Sequence, residues 1–116
     1  MEGFTAIKFD PAGAYTSFDG HMPARADIER SRAFCHKIRE AVGRECDLLF
    51  GTHGQFTAAG AIRLAQAIAP YDPLWFEEPV PPDSPAEMAK VARATPIAIA
   101  TGERLCMAAE FSAILD

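Results

Sequence analysis

The chain has 116 residues, 49% of them hydrophobic and 23% charged, with a formal net charge of −5. That length and balance suit one globular domain and exclude a disordered chain. The acids are spread along the sequence with no basic run, which argues against nucleic acid or an anionic membrane as a partner. No apolar run approaches the ~20 residues of a membrane span, and Met1-Glu2-Gly3-Phe4 lacks the charged and apolar regions of a signal peptide. Cys35, Cys46 and Cys106 are odd in number and match no zinc or CxxC spacing. Reduced thiols in a cytoplasmic protein are the expectation.

Thr5-Ala6-Ile7-Lys8-Phe9 reads as a first strand, stopped by Pro11. Residues 11–25 hold two prolines and two glycines with Tyr15, Phe18, Asp19 and His21, a loop of the length that is often functional. From Ala26 to Val42 the pattern is helical, with Ile28, Phe34 or Cys35, Ile38 and Val42 near one face and Gly43 at the C-terminal cap. Asp47-Leu48-Leu49-Phe50 is the second strand, ending in Gly51-Thr52-His53-Gly54. A helix follows from about Thr57, with Ile62, Leu64, Ala65 and Ile68 as its inner face, closed by Pro70 and Pro73. Leu74-Trp75-Phe76-Glu77 is the third strand. Ser84-Pro85-Ala86-Glu87 then opens a helix to about Ala94, with an N-cap serine, proline at the first helical position and glutamate at the capping-box position. Pro96 to Ala100 is the fourth strand, and Met107 to Leu115 begins the last helix. Apolar strands alternating with helices indicate α/β architecture with a parallel sheet. About half of a (β/α) barrel is expected; an open flavodoxin-like sheet is the alternative, although no GxGxxG or Walker spacing supports it.

Gly51, Glu77 and Glu103 are equally spaced, since 77 − 51 = 26 and 103 − 77 = 26. Each follows the apolar residues of a predicted strand. In a parallel barrel such points face one mouth, where active sites are built, so Glu77 and Glu103 are expected to converge. Two carboxylates in one mouth need a positive charge between them. A hard divalent cation such as Mg²⁺ meets that need; ion pairs with Arg63, Arg93 or Arg104 are the competing reading.

Trp75-Phe76-Glu77-Glu78-Pro79 and Ala100-Thr101-Gly102-Glu103-Arg104-Leu105 resemble the metal-binding strand ends of the enolase superfamily. The likeness is to its mandelate racemase and muconate lactonizing branch, above all to acid-sugar dehydratases of the galactonate and gluconate type. Gly3 to Asp10 resembles the second barrel strand of that family, so the likeness runs nearly end to end. It implies that residues 1–116 form a partial C-terminal barrel domain without the N-terminal capping domain. It implies Mg²⁺ as cofactor, with Glu77 and Glu103 as second and third ligands and Glu78 pointing away in a structural pair. It also implies a sugar-acid substrate and a homo-oligomeric parent.

The first ligand in the family is an aspartate in a pattern like Asp-x-His-Gly, and here that position is Gly51. Glycine has no side chain to coordinate a metal, and Asp10 and His53 are the candidate substitutes. By the same resemblance His53 is the general acid that protonates a leaving hydroxyl, a role suited to imidazole; a hydrogen-bonding loop histidine is the plainer reading. Lys8-Phe9-Asp10 stands where the racemases carry Lys-x-Lys, so a lysine base on this strand is not expected. Lys8 near a substrate carboxylate and a structural Lys8 stay open, as does substrate contact by His21. His36 is expected on a helix surface, and Arg104 is expected to brace carboxylates.

The resemblance therefore implies a fragment of a Mg²⁺-dependent hydro-lyase. Such an enzyme abstracts the proton α to a carboxylate and eliminates water through a metal-stabilised enediolate. A racemase or epimerase of the same superfamily, or a degenerate non-catalytic relative, are the alternatives. A full barrel takes about 250 residues, so the isolated chain is expected to be inactive and to aggregate or dimerise through open sheet edges.

Overall fold

Prolines and glycines divide the apolar runs into short segments, and the computed structural model, which describes residues 3–16 and 19–115, shows those segments as four strands alternating with four helices. They are β1 (Ala6–Phe9), α1 (Arg25–Val42), β2 (Asp47–Gly51), α2 (Ala58–Ile68), β3 (Trp75–Glu77), α3 (Pro85–Ala94), β4 (Ala98–Ala100) and α4 (Ala108–Leu115). A single 3₁₀ turn, Ala69–Tyr71, extends α2. Phe18, read above as part of the first loop, lies outside the described residues.

The sheet order is β1-β2-β3-β4, and all three pairings are parallel. Parallel neighbours need a long crossover, and each crossover here contains one helix. Strand order never departs from chain order, so the sheet lacks the switch point of a doubly wound fold. The flavodoxin-like alternative is therefore set aside in favour of successive barrel units.

Alternation along the strands separates two faces. Phe9, Phe50, Phe76 and Ile99 are successive register partners. Phe50 and Phe76 are completely buried with Leu64, Ala65, Ile68 and Val91 of the covering helices. The phenyl rings meet edge-to-face, with centroids 5.8 Å apart for Phe9 and Phe50 and 5.4 Å for Phe50 and Phe76. Such pairs add ~0.5–1.5 kcal/mol beyond area burial. The opposite row, Lys8, Leu49, Trp75 and Ala98, looks away from the helices and is only partly covered. In a closed barrel this row faces the interior.

Local signals act as their chemistry dictates. Thr57 caps α2 by accepting the Gly60 amide at 3.2 Å, and Ser84 caps α3 by accepting that of Glu87 at 3.4 Å. The Glu87 carboxylate pairs with Lys90. In the first turn of α4, Glu110 reaches back to the amides of Cys106 and Met107, both at 2.8 Å, and those two bonds hold its carboxyl below the usual range. On α1 the core position at 34/35 goes to Cys35, fully buried, while Phe34 is exposed. His36 is a surface residue beside Glu40. Among the described residues no helix is long and apolar enough to cross a membrane.

Candidate active site at the strand ends

Parallel strands deliver their C-terminal ends to one side of the sheet, and every sequence-selected acid and His53 follow or occupy such an end. Asp10 follows β1 directly, and His53 lies two residues beyond β2, so neighbouring strands bring them together. Asp10 Oδ2 lies 2.7 Å from His53 Nδ1. An ionised carboxylate only accepts, so Nδ1 donates and Nε2 takes no part in this bond. Both proposed stand-ins for the first metal ligand thus engage each other.

His53 has φ 55°, the left-handed region where a non-glycine residue is uncommon. Surrounding bonds hold it there. Gly54, with φ 68°, donates its amide to the Glu78 carbonyl at 2.6 Å, and Thr52 donates its hydroxyl to the same oxygen at 2.8 Å. Arg104 donates Nη2 to the His53 carbonyl at 2.8 Å and to Tyr15 Oη at 2.5 Å. The Tyr15 ring stands edge-on to the imidazole, centroids 5.3 Å apart. Through these bonds Arg104 braces the histidine loop.

Glu78 is completely buried and also has a left-handed backbone, φ 44°. Its Oε1 accepts from Thr101 Oγ1 at 2.5 Å and from the Gly102 amide at 2.9 Å. One residue thus ties down both neighbouring loops: its carbonyl holds the one carrying His53, its carboxylate the one carrying Glu103. The structural role expected for Glu78 is this double tie.

Glu77 lies on the opposite side of the strand from buried Phe76, in register with Gly51. The 26-residue interval between Gly51 and Glu77 is therefore a true register step. The next interval is not: the partner of Glu77 on β4 is Ala100, and Glu103 lies three residues farther on, exposed, past the Thr101-Gly102 turn held by Glu78. Glu77 Oε1 accepts from Lys8 Nζ at 2.5 Å, so its ion-pair partner is a lysine two strands away rather than Arg63, Arg93 or Arg104. His21 is turned into its own loop, where Nδ1 lies 3.0 Å from the Asp19 carbonyl and the ring packs against Phe56.

Among the described residues no group of three or more His, Cys, Asp or Glu is arranged to hold a metal. Mg²⁺, however, is commonly bound by one or two carboxylates, with water and substrate supplying the rest. Glu77 fits that donor chemistry, since its oxygen already holds a cation, the Lys8 ammonium. Sequence reasoning missed the Asp10–His53 and Lys8–Glu77 pairs. The signal available for the first was that both members follow the ends of consecutive strands.

Comparison with known proteins places the fold in a family. Residues 1–116 match the family model described as enolase C-terminal domain-like. The D-xylonate dehydratase of Haloferax volcanii is 34% identical over 106 residues, which are 89% of this chain and 26% of that protein. A mandelate racemase/muconate lactonizing enzyme from Sulfitobacter sp. is 68% identical, with a TM-score of 0.94 over 97% of this chain and 28% of that one. A Streptomyces coelicolor racemase solved with bound magnesium is 31% identical, with a TM-score of 0.83 over 97% of this chain and 28% of that one. The chain spans little more than a quarter of each of these proteins.

Proposed function

The chain belongs to the enolase C-terminal domain-like family, and from that premise we propose that it is the proton-donating and acid-bearing part of a Mg²⁺-dependent sugar-acid dehydratase barrel. The observation that carries this reading is the Asp10–His53 pair, 2.7 Å apart at the strand ends. The similarity to a D-xylonate dehydratase supports the substrate class.

In the imidazolium form, His53 keeps one proton on Nδ1 for Asp10 and carries the second on Nε2. Elimination begins when a base outside this chain removes the proton α to the substrate carboxylate. The electron pair moves between the α and β carbons and the C–O bond at the β carbon breaks. His53 Nε2 gives its proton to the departing oxygen, which leaves as water. The resulting enol becomes a 2-keto-3-deoxy acid. Asp10 fixes the ring orientation, and Arg104 and Glu78 fix the loop, so the donor need not reorganise during the step.

Glu77, with Glu103 from the neighbouring loop, would hold the Mg²⁺. When bound, the ion supplies electrostatic stabilisation of the negative charge that develops at the substrate carboxylate. The reading includes the cytoplasm as compartment, because Cys35, Cys46 and Cys106 are all free thiols.

The test is dehydration of a panel of aldonic acids by a polypeptide in which these residues complete a full barrel, with the keto-deoxy product measured by semicarbazide. Product formation that drops at least ~100-fold in His53→Ala supports the reading. Exchange of the α-proton with epimer as the sole product would favour the racemase alternative. A well-folded barrel that neither exchanges nor dehydrates any acid would favour the non-catalytic one.

A further inference from the structure

Glycine at position 51 leaves the first-ligand site of the family without a side chain, and the structure records what occupies that space. Lys8 lies on β1 opposite Leu49, and Glu77 lies on β3 opposite Gly51. The two are separated by β2, so the lysine spans two strand spacings of ~4.8 Å each to reach its partner. Its path crosses Gly51, where an added Cβ would sit 3.6 Å from Lys8 Cε. A Cβ alone would be an ordinary contact, but any longer side chain at 51 would enter the track of the lysine. Lys8 Cε is the sole atom within 4 Å of that position outside its chain neighbours, among the described residues. The acid that directly follows the same strand, Asp10, is turned toward His53.

We infer that Lys8 and Gly51 form an internal cation latch, in which the lysine ammonium competes with a divalent cation for Glu77. The inference rests on the reading of Glu77 as a metal ligand and adds a determinant of affinity that belongs to this chain. A divalent ion at Glu77 must displace the ammonium or sit against it, and like charges a few ångströms apart oppose each other. The pair is partly exposed, with side chains 51% and 18% accessible for Lys8 and Glu77. The competition is accordingly modest and reversible.

The experiment is calorimetric titration of the chain with MgCl₂, on the wild type, Lys8→Met and Lys8→Gln. Tb³⁺ emission sensitised by Trp75, the single tryptophan and a neighbour of Glu77 on the same strand face, gives a second readout. Circular dichroism establishes that each variant is folded. Both neutral variants should bind about five- to ten-fold more tightly than the wild type, and Glu77→Gln should abolish the gain. Equal affinity in all three folded chains would overturn the latch and leave the metal reading standing. No saturable Mg²⁺ or Tb³⁺ binding by any of the folded chains would overturn both.

Discussion

The backbone carbonyl of Glu78 accepts the amide of Gly54 at 2.6 Å, and through that bond the end of β3 sets the height of the loop that presents His53. The same residue reaches the other way with its carboxylate, to Thr101 and Gly102. Removing the carboxylate while sparing the carbonyl separates the two ties. Glu78→Ala is expected to lower stability by about 2–3 kcal/mol through lost charge-assisted bonds, while Glu78→Gln, which keeps an accepting oxygen, should lose roughly half as much. Urea midpoints measure both. An alanine variant as stable as the wild type would refute the tie.

The Asp10–His53 bond predicts a tautomer. With Asp10 ionised, the neutral ring should carry its proton on Nδ1, and Asp10→Ala should shift it toward Nε2. Long-range ¹H–¹⁵N NMR spectra of the imidazole distinguish the two forms. In a completed barrel the same substitution should cost about ten- to a hundred-fold in dehydration. An Nε2-protonated ring in the wild type would remove the basis for orientation by Asp10.

Burial pushes the Cys35 thiol up, from 9.0 to about 12, against the opposing influence of Arg39 and a backbone hydrogen bond. A thiol that ionises later in the folded than in the unfolded chain contributes stability fully below pH 9.0, and that contribution declines as pH rises toward about 12. The urea midpoint should therefore fall between these limits, and less so in Cys35→Ala once its lower baseline is subtracted. At about pH 8, iodoacetamide should modify exposed Cys106 first and Cys35 last, because the thiolate is the nucleophile. Mass spectrometry of the alkylated peptides decides the order, and early labelling of Cys35 would contradict its burial.

Arg39 donates to four carbonyls: Tyr71 at 3.1 Å, Gly43 at 2.9 Å, Cys46 at 2.7 Å and Asp72 at 2.9 Å. It joins the end of α1 to the entrances of β2 and β3, on the side of the sheet away from the mouth. A planar guanidinium suits this fan of acceptors and an ammonium does not. Arg39→Lys is expected to destabilise by about 2 kcal/mol while leaving Mg²⁺ affinity unchanged. A fall in affinity alongside stability would mean that the two ends of the sheet are coupled.

The elements and their alternation are legible in the sequence. Ser84-Pro85-Ala86-Glu87 and Thr57 mark helix starts because they bond to the nearest amides, and short apolar runs between prolines and glycines read as strands. Such signals are local, within a few residues, so a single chain displays them. The resemblance of the strand-end motifs likewise identified the family. Tertiary structure alone decided which of Phe34 and Cys35 enters the core, since helical periodicity leaves adjacent positions nearly equivalent until a sheet is packed against them. It also decided that the 26-residue interval is a register step between Gly51 and Glu77 but not between Glu77 and Glu103. Residue counting cannot separate strand from loop within an interval, whereas backbone pairing does. The pairs Asp10–His53 and Lys8–Glu77 arise because parallel strands place distant ends side by side and Gly51 leaves a path between them. Those partners follow from the register of strands that meet only once the chain is folded.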